Sequence, residues 1–220
     1  GDFECVSGCG QDAAGVANAS DNCGEPNLED NAPACFPLGT TDVNFTATDG
    51  SGNASQCTSR VTVADTTPPV IEVGAALHRI WPPNHKCETY ELIDVCEVSV
   101  TDACEAPDAL TVEITGITSD ESHEAGAGGD GHHSNDIELV DATTFKLRSE
   151  RQGGSDGRVY TVEFRASDPS GNVATSACVF VVPHDNNGFA VDSGVAEHCR
   201  AGDDCTCSNN PLAQANANGK

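Results

Sequence analysis

Ala47-Thr-Asp-Gly-Ser-Gly-Asn53 and Ala166-Ser-Asp-Pro-Ser-Gly-Asn172 are two copies of one signal. Each follows an alternating stretch (Val43, Phe45, Ala47; Val162, Phe164, Ala166) and precedes another (Val61, Val63; Val179, Val181). Alternation at period two reads as a half-buried strand, and the Asp/Ser/Gly/Asn cluster between two such stretches reads as a turn. A hairpin signal used twice predicts two similar β units. Upstream companions, Ser20-Asp-Asn-Cys-Gly24 and Thr101-Asp-Ala-Cys104, repeat as well.

The 220 residues suit two small domains. Residues 1–65 read as the first unit, the Pro-Pro segment 66–69 as a stiff linker, 70–185 as the second unit and 186–220 as an irregular tail. The paired prolines fix φ and remove two backbone donors, which stiffens the joint. In the second unit, strands are expected near 70–74, 90–101, 110–118, 136–140, 143–149, 158–167 and 173–182. Seven short strands between polar turns predict an antiparallel sandwich of immunoglobulin type. The fold class is therefore all-β: two tandem immunoglobulin-like antiparallel β-sandwiches, with no helical periodicity anywhere.

Thirty-five acids against 10 bases give a net charge of −25. A chain so negative repels nucleic acid and anionic membranes. It contains no apolar run long enough to span a bilayer, so neither membrane insertion nor nucleic-acid binding is expected. The chain starts at Gly1 without a leader, which reads as a processed product. Twelve Cys without Met point to an oxidising, secreted or surface location. Disulfides are expected to use Cys5, Cys9, Cys23, Cys35, Cys57, Cys87, Cys96, Cys104, Cys178, Cys199, Cys205 and Cys207. Within the units, the expected pairs are Cys23 with Cys57, and Cys96 or Cys87 with Cys178.

Several motifs resemble known families. Asp21-Asn-Cys-Gly24, Phe36-Pro-Leu-Gly-Thr-Thr41, Phe45-Thr-Ala-Thr-Asp-Gly-Ser-Gly-Asn53 and Asp65-Thr-Thr-Pro-Pro69 resemble the hyalin repeat (HYR) domain, an immunoglobulin-like module of extracellular adhesive proteins. The second unit resembles a related bacterial Ig-like domain through Trp81-Pro-Pro-Asn-His-Lys86, Gly129-Asp-Gly131, Leu147-Arg-Ser-Glu-Arg151, Gly157-Arg-Val-Tyr160 and Val182-Pro-His-Asp185. The resemblance implies extracellular adhesion or structural spacing and no catalysis. The first unit is short for the family, and a sandwich lacking a strand exposes an edge that another chain can fill.

Two clusters carry candidate chemistry. Asp65 at the linker, with Asp102 and Asp168 at the adjoining pole of the second unit, would suit Ca²⁺, which takes six to eight oxygens. Against this, Asp in Asp-Gly-Ser-Gly and Asp-Pro-Ser-Gly caps its own turn. The opposite pole gathers His85, Asp130, His132, His133, Asp136, His184 and Asp185, a donor set for Zn²⁺ or Cu²⁺. Against this, a Gly-rich loop with His is often only solvated. No G-x-S-x-G elbow or H-E-x-x-H helix is present, so no enzyme is expected. Trp81 beside two prolines is expected to pack on the sandwich. Asn18-Ala-Ser, Asn44-Phe-Thr and Asn53-Ala-Ser match the N-glycosylation acceptor pattern, which also recurs by chance.

These observations favour a secreted structural or adhesive protein, a homo-oligomer associating head-to-tail into a fibre or surface assembly. The alternatives are a carbohydrate- or protein-binding module and a metal-binding protein using the His-rich pole. Cysteine parity adds an expectation. Five Cys in residues 1–65 and three in the tail predict a bridge between those segments, best made to a neighbouring copy that could also borrow Gly188-Phe-Ala-Val-Asp192 as a strand.

Overall fold

A computed structural model describes the main chain of residues 2–4 and all of 15–122, 135–186, 188–207 and 209. The chain divides into two compact units: residues to 67 with 103–105, and residues 68–102 with those from 106 on. It is all-β, as the repeated hairpin signal predicts, apart from single short helical turns.

In the first unit, β1 (Asp2–Glu4), β2 (Asn27–Asp30), β3 (Gly39–Thr48) and β4 (Ala54–Ala64) form one sheet in the order β1-β4-β3-β2. β1 runs parallel to β4, and the other pairs are antiparallel. Alternation decides the faces. Val43, Phe45, Val61 and Val63 point to the core with Phe36, and Ala17 and Ala32 pack against them. The opposite face carries cross-strand polar pairs in register: Arg60 Nε on Asp42 Oδ1 at 3.0 Å, Thr58 Oγ1 on Asn44 Oδ1 at 2.7 Å, and Gln56 Nε2 on Thr46 Oγ1 at 3.2 Å. Such pairs stabilise by roughly 0.2–1 kcal/mol each. β2, exposed at every position, is the outer strand on its side.

The second unit has β5 (Val70–Val73), β6 (Leu77–Arg79), β7 (Cys87–Glu91), α1 (Leu92–Val95), β8 (Val98–Thr101), β9 (Thr111–Ser119), β10 (Ile137–Leu139), β11 (Thr144–Arg148), β12 (Gly157–Ser167), β13 (Val173–Pro183) and β14 (Glu197–Arg200). One sheet has the order β14-β9-β12-β13-β6; facing it are β10-β11-β7 and the pair β5-β8. Tyr160, Val162, Phe164 and Ala166 from β12, with Cys178, Phe180 and Val182 from β13, meet Leu92, Val98, Phe145 and Leu147 across the core. His78 joins this core's aromatic cluster, its ring 5.1 Å from Phe180 and 5.8 Å from Tyr90. Burial holds its pKa below the ordinary value.

Three expectations change here. The single strand expected over 90–101 is broken by α1, because Leu92 and Cys96 bury together where the chain passes from β7 to β8. β6 was missed because it is only three residues long. The third concerns the tail, which is a strap within its own unit rather than a link to another copy. Arg79 donates to the carbonyls of Asp185 and Asn186 at 3.1 and 2.6 Å. Gly157, at φ +120°, admits the strap over β12: a Cβ there would meet Ala190 Cβ at 2.9 Å and Val182 O at 2.7 Å. β14 then pairs antiparallel with β9.

The disulfides Cys199–Cys205 and Cys87–Cys207 use all three tail cysteines in cis. Gly188–Asp192 is not a strand, and its Phe189 and Val191 side chains are exposed. Cys96 pairs with Cys178, one of the two expected alternatives. Cys35 and Cys104 are also disulfide-bonded. Cys23 and Cys57, expected to pair, are instead exposed free thiols. An Asx turn, Cys23 N to Asp21 Oδ1 at 2.8 Å, holds Cys23 in a surface bend, whereas Cys57 sits opposite Phe45 in β4. Cys5 and Cys9 lie outside the described residues.

Candidate functional site

The repeated Asp motif builds the same turn twice. Asn53 donates its N to Asp49 Oδ1 at 2.8 Å and its Nδ2 to Oδ2 at 2.7 Å. Asn172 does the same to Asp168, at 2.9 Å for each bond. Gly52 (φ +87°) and Gly171 (φ +92°) supply the left-handed residue that closes each turn. Both oxygens of each carboxylate are thus occupied by the turn itself. Asp65 caps its own segment similarly, accepting from Thr67 N and Oγ1 at 3.1 and 2.9 Å. Asp65 belongs to the first unit, and Asp102 and Asp168 to the second.

These turns titrate. Hydrogen bonds from Asn53 hold the Asp49 carboxyl below its ordinary value. For Asp168, burial pushes the carboxyl up, but the bonds from Asn172 and the turn amides bring it below that value. A depressed carboxyl stabilises the fold above its unfolded pKa of about 3.9, and that contribution is lost as pH falls through the folded value. Asp168→Asn should therefore lower the urea midpoint at neutral pH and flatten its acid dependence below about pH 4. An acid limb as steep as the parent's would contradict this assignment.

At the opposite pole, the structure brings together a different set from the one expected. Asp136 is buried between two fully buried arginines. Arg148 Nε donates to Asp136 Oδ1 at 2.9 Å, and Arg158 Nη1 donates to Oδ2. Arg158 Nε reaches Glu121 Oε2 at 3.2 Å, and Tyr160 Oη donates to Arg148 O at 2.9 Å. Arg148 Nη1 also donates to the His85 carbonyl at 2.9 Å. Burial works against the charge on Arg158, but Tyr160 and Asp136 hold its pKa above the ordinary value.

His85 places Nδ1 3.2 Å from the buried Glu150 Oε2. His184 is exposed, with Nε2 3.4 Å from Gly153 O, and Asp185 is exposed beside it. Among the described residues, His85, Asp136, His184 and Asp185 do not bring three ligand atoms together. Asp130, His132 and His133 lie outside the described residues.

The arginine pair was legible in the pattern. Arg158 is in phase with Tyr160, Val162 and Phe164, so alternation sends it inward, where a charge needs a partner. Its partners, Asp136 and Glu121, come from separate segments and carry no local signal. Trp81, expected to pack on the sandwich, is 40% exposed, with the Arg79 guanidinium 5.7 Å from its ring centroid.

A groove of about 350 Å³ opens in the first unit, bounded by residues 17–21, Leu28, Phe45 and Cys57. Its lining mixes small, amide and hydroxyl side chains, with Asp21 and Asp49 at hand.

Comparison with known proteins finds relatives for part of the chain. Over 80 residues, 32% of this chain, it is 40% identical to the mouse (Mus musculus) Sushi, von Willebrand factor type A, EGF and pentraxin domain-containing protein 1. Over 71 residues it is 39% identical to the rat (Rattus norvegicus) protein of the same name. The chain spans about 2% of the length of each. Among solved structures it is similar to the cis-dimer of protocadherin gammaB7 EC3-6, at 15% identity and a TM-score of 0.39, covering 74% of this chain and 42% of that one. Residues 10–63 match the HYR domain model, so the first unit carries an HYR domain.

Proposed function

We propose that this chain is a secreted structural and adhesive module whose copies associate end to end. One observation carries the reading: in the described residues the carboxylates of the repeated turns, the buried arginine cluster and the tail cysteines are engaged in structure, while an outer strand is left open. Asp49 and Asp168 close turns, Asp136 bridges two arginines, and the tail cysteines staple a strap. β2 keeps an exposed outer edge with Leu28 40% exposed, a template for strand addition by another chain. A contact between unlike surfaces of two copies propagates as a filament unless its rotation closes a ring. The HYR domain and the disulfide-rich fold are those of a secreted or surface protein.

Charge sets the condition for assembly. Copies bearing −25 each repel, and that repulsion is screened over about 8 Å at physiological salt but about 30 Å at 0.01 M. Association should therefore strengthen as salt rises, the reverse of a contact between opposite charges. Sedimentation velocity of the full chain from about 0.01 M to about 1 M salt tests this. Species larger than monomer that grow with salt are expected. A monomer throughout would remove self-association and leave a module that binds a different partner.

A further inference from the structure

The three Asn-x-Ser/Thr matches are equivalent in sequence but not in the fold. Asn53 commits its amide nitrogen to Asp49 at 2.7 Å, closing the first turn. Asn44 lies in the middle of β3, a strand flanked on both sides, where its Oδ1 accepts from Thr58 Oγ1. The residue after it, Phe45, is buried in the core, and Thr46 accepts from Gln56 in the ladder. A transferase must draw out the Asn, the residue after it and the hydroxyl residue together. At Asn44 that means opening the central strand and removing Phe45 from the core.

Asn18-Ala19-Ser20 imposes neither cost. All three residues are exposed and outside any strand, and the Asn18 side chain makes no hydrogen bond among the described residues. We infer that Asn18 is an attachment site for an N-linked oligosaccharide, and that the fold closes Asn44 and Asn53 to it. In the transfer, Asn18 Nδ2 attacks C1 of the first sugar of a lipid-pyrophosphate-linked oligosaccharide. The C1–O bond breaks, the lipid pyrophosphate leaves with the electron pair, and one Nδ2 proton passes to a carboxylate of the transferase. Asn18 lines the groove that also contains Leu28 and Cys57, so the oligosaccharide would stand at the mouth of that groove.

The full chain secreted from a eukaryotic cell line, treated with peptide N-glycosidase in ¹⁸O-water, provides the direct readout. The enzyme converts a glycosylated Asn to ¹⁸O-labelled Asp. Label is expected at residue 18 and not at residues 44 or 53. The electrophoretic shift caused by the enzyme should vanish in Asn18→Gln and persist in Asn44→Gln and Asn53→Gln. Mass spectrometry of the parent chain settles the site even if a variant is secreted poorly. A parent chain without label at residue 18, or an Asn18→Gln chain that keeps its full shift, would overturn the assignment.

Discussion

Asp136→Ala should cost the second unit about 3–5 kcal/mol, the usual effect of leaving buried charge unpaired. Asp136 accepts from Arg148 and Arg158, both fully buried, so its removal takes the shared carboxylate from two guanidinium groups at once. A domain's whole margin is only about 5–15 kcal/mol, so urea denaturation should show a large fall in midpoint. The same principle gives the control. Arg158→Met in the Asp136→Ala background removes one stranded charge, so the double variant should lose less than the two single losses added together. A single loss below about 1 kcal/mol would show that this cluster is hydrated and does not hold the sandwich together.

The network also shows where the sequence was readable. β12 and β13 pair over 11 residues in a register that the alternation of Tyr160, Val162, Phe164 against Cys178, Phe180, Val182 already required. A slip of one residue would turn that whole set to solvent. The two Asp turns were legible for the same local reason: Asp, Gly and Asn within five residues specify the bonds they make. What lay beyond local pattern was long-range. Nothing near Asp136 announces Arg148 and Arg158, 12 and 22 residues away, so its carboxylate read equally well as a metal ligand. His85 and His184, placed on loops at one pole, each take a protein partner, Glu150 Oε2 and Gly153 O. The strap was misread because parity counts cysteines without locating them. β14 has one buried residue, Cys199, and its strand character comes from the β9 edge it covers.

The two long-range disulfides should each contribute about 3–5 kcal/mol, and together they match much of the unit's margin. Cys96–Cys178 closes 82 residues and Cys87–Cys207 closes 120, so both restrict the unfolded chain strongly, whereas Cys199–Cys205 closes only 6 and restricts it least. The loops are nested. With the inner bridge intact, the outer one constrains a much shorter effective loop, so its share is smaller than its span suggests. Cys87→Ala with Cys207→Ala should therefore cost about 3–4 kcal/mol, and removing the Cys96–Cys178 bridge as well should leave the second unit largely unfolded. The outer bridge also anchors the strap, with Asn209 Nδ2 donating to Cys87 O at 3.0 Å and Cys207 N to Glu138 Oε2 at 2.7 Å. Its loss should thus free β14 and raise hydrogen exchange along the β9 edge before the unit melts. Urea midpoints with and without reductant measure the stability loss, and amide exchange at Ile117 and Ser119, which face β14, follows the strap. Unchanged protection there after removing Cys87–Cys207 would show that the β14–β9 ladder holds without its bridge. Because the tail cysteines close in cis, non-reducing electrophoresis should show no covalent ladder through them.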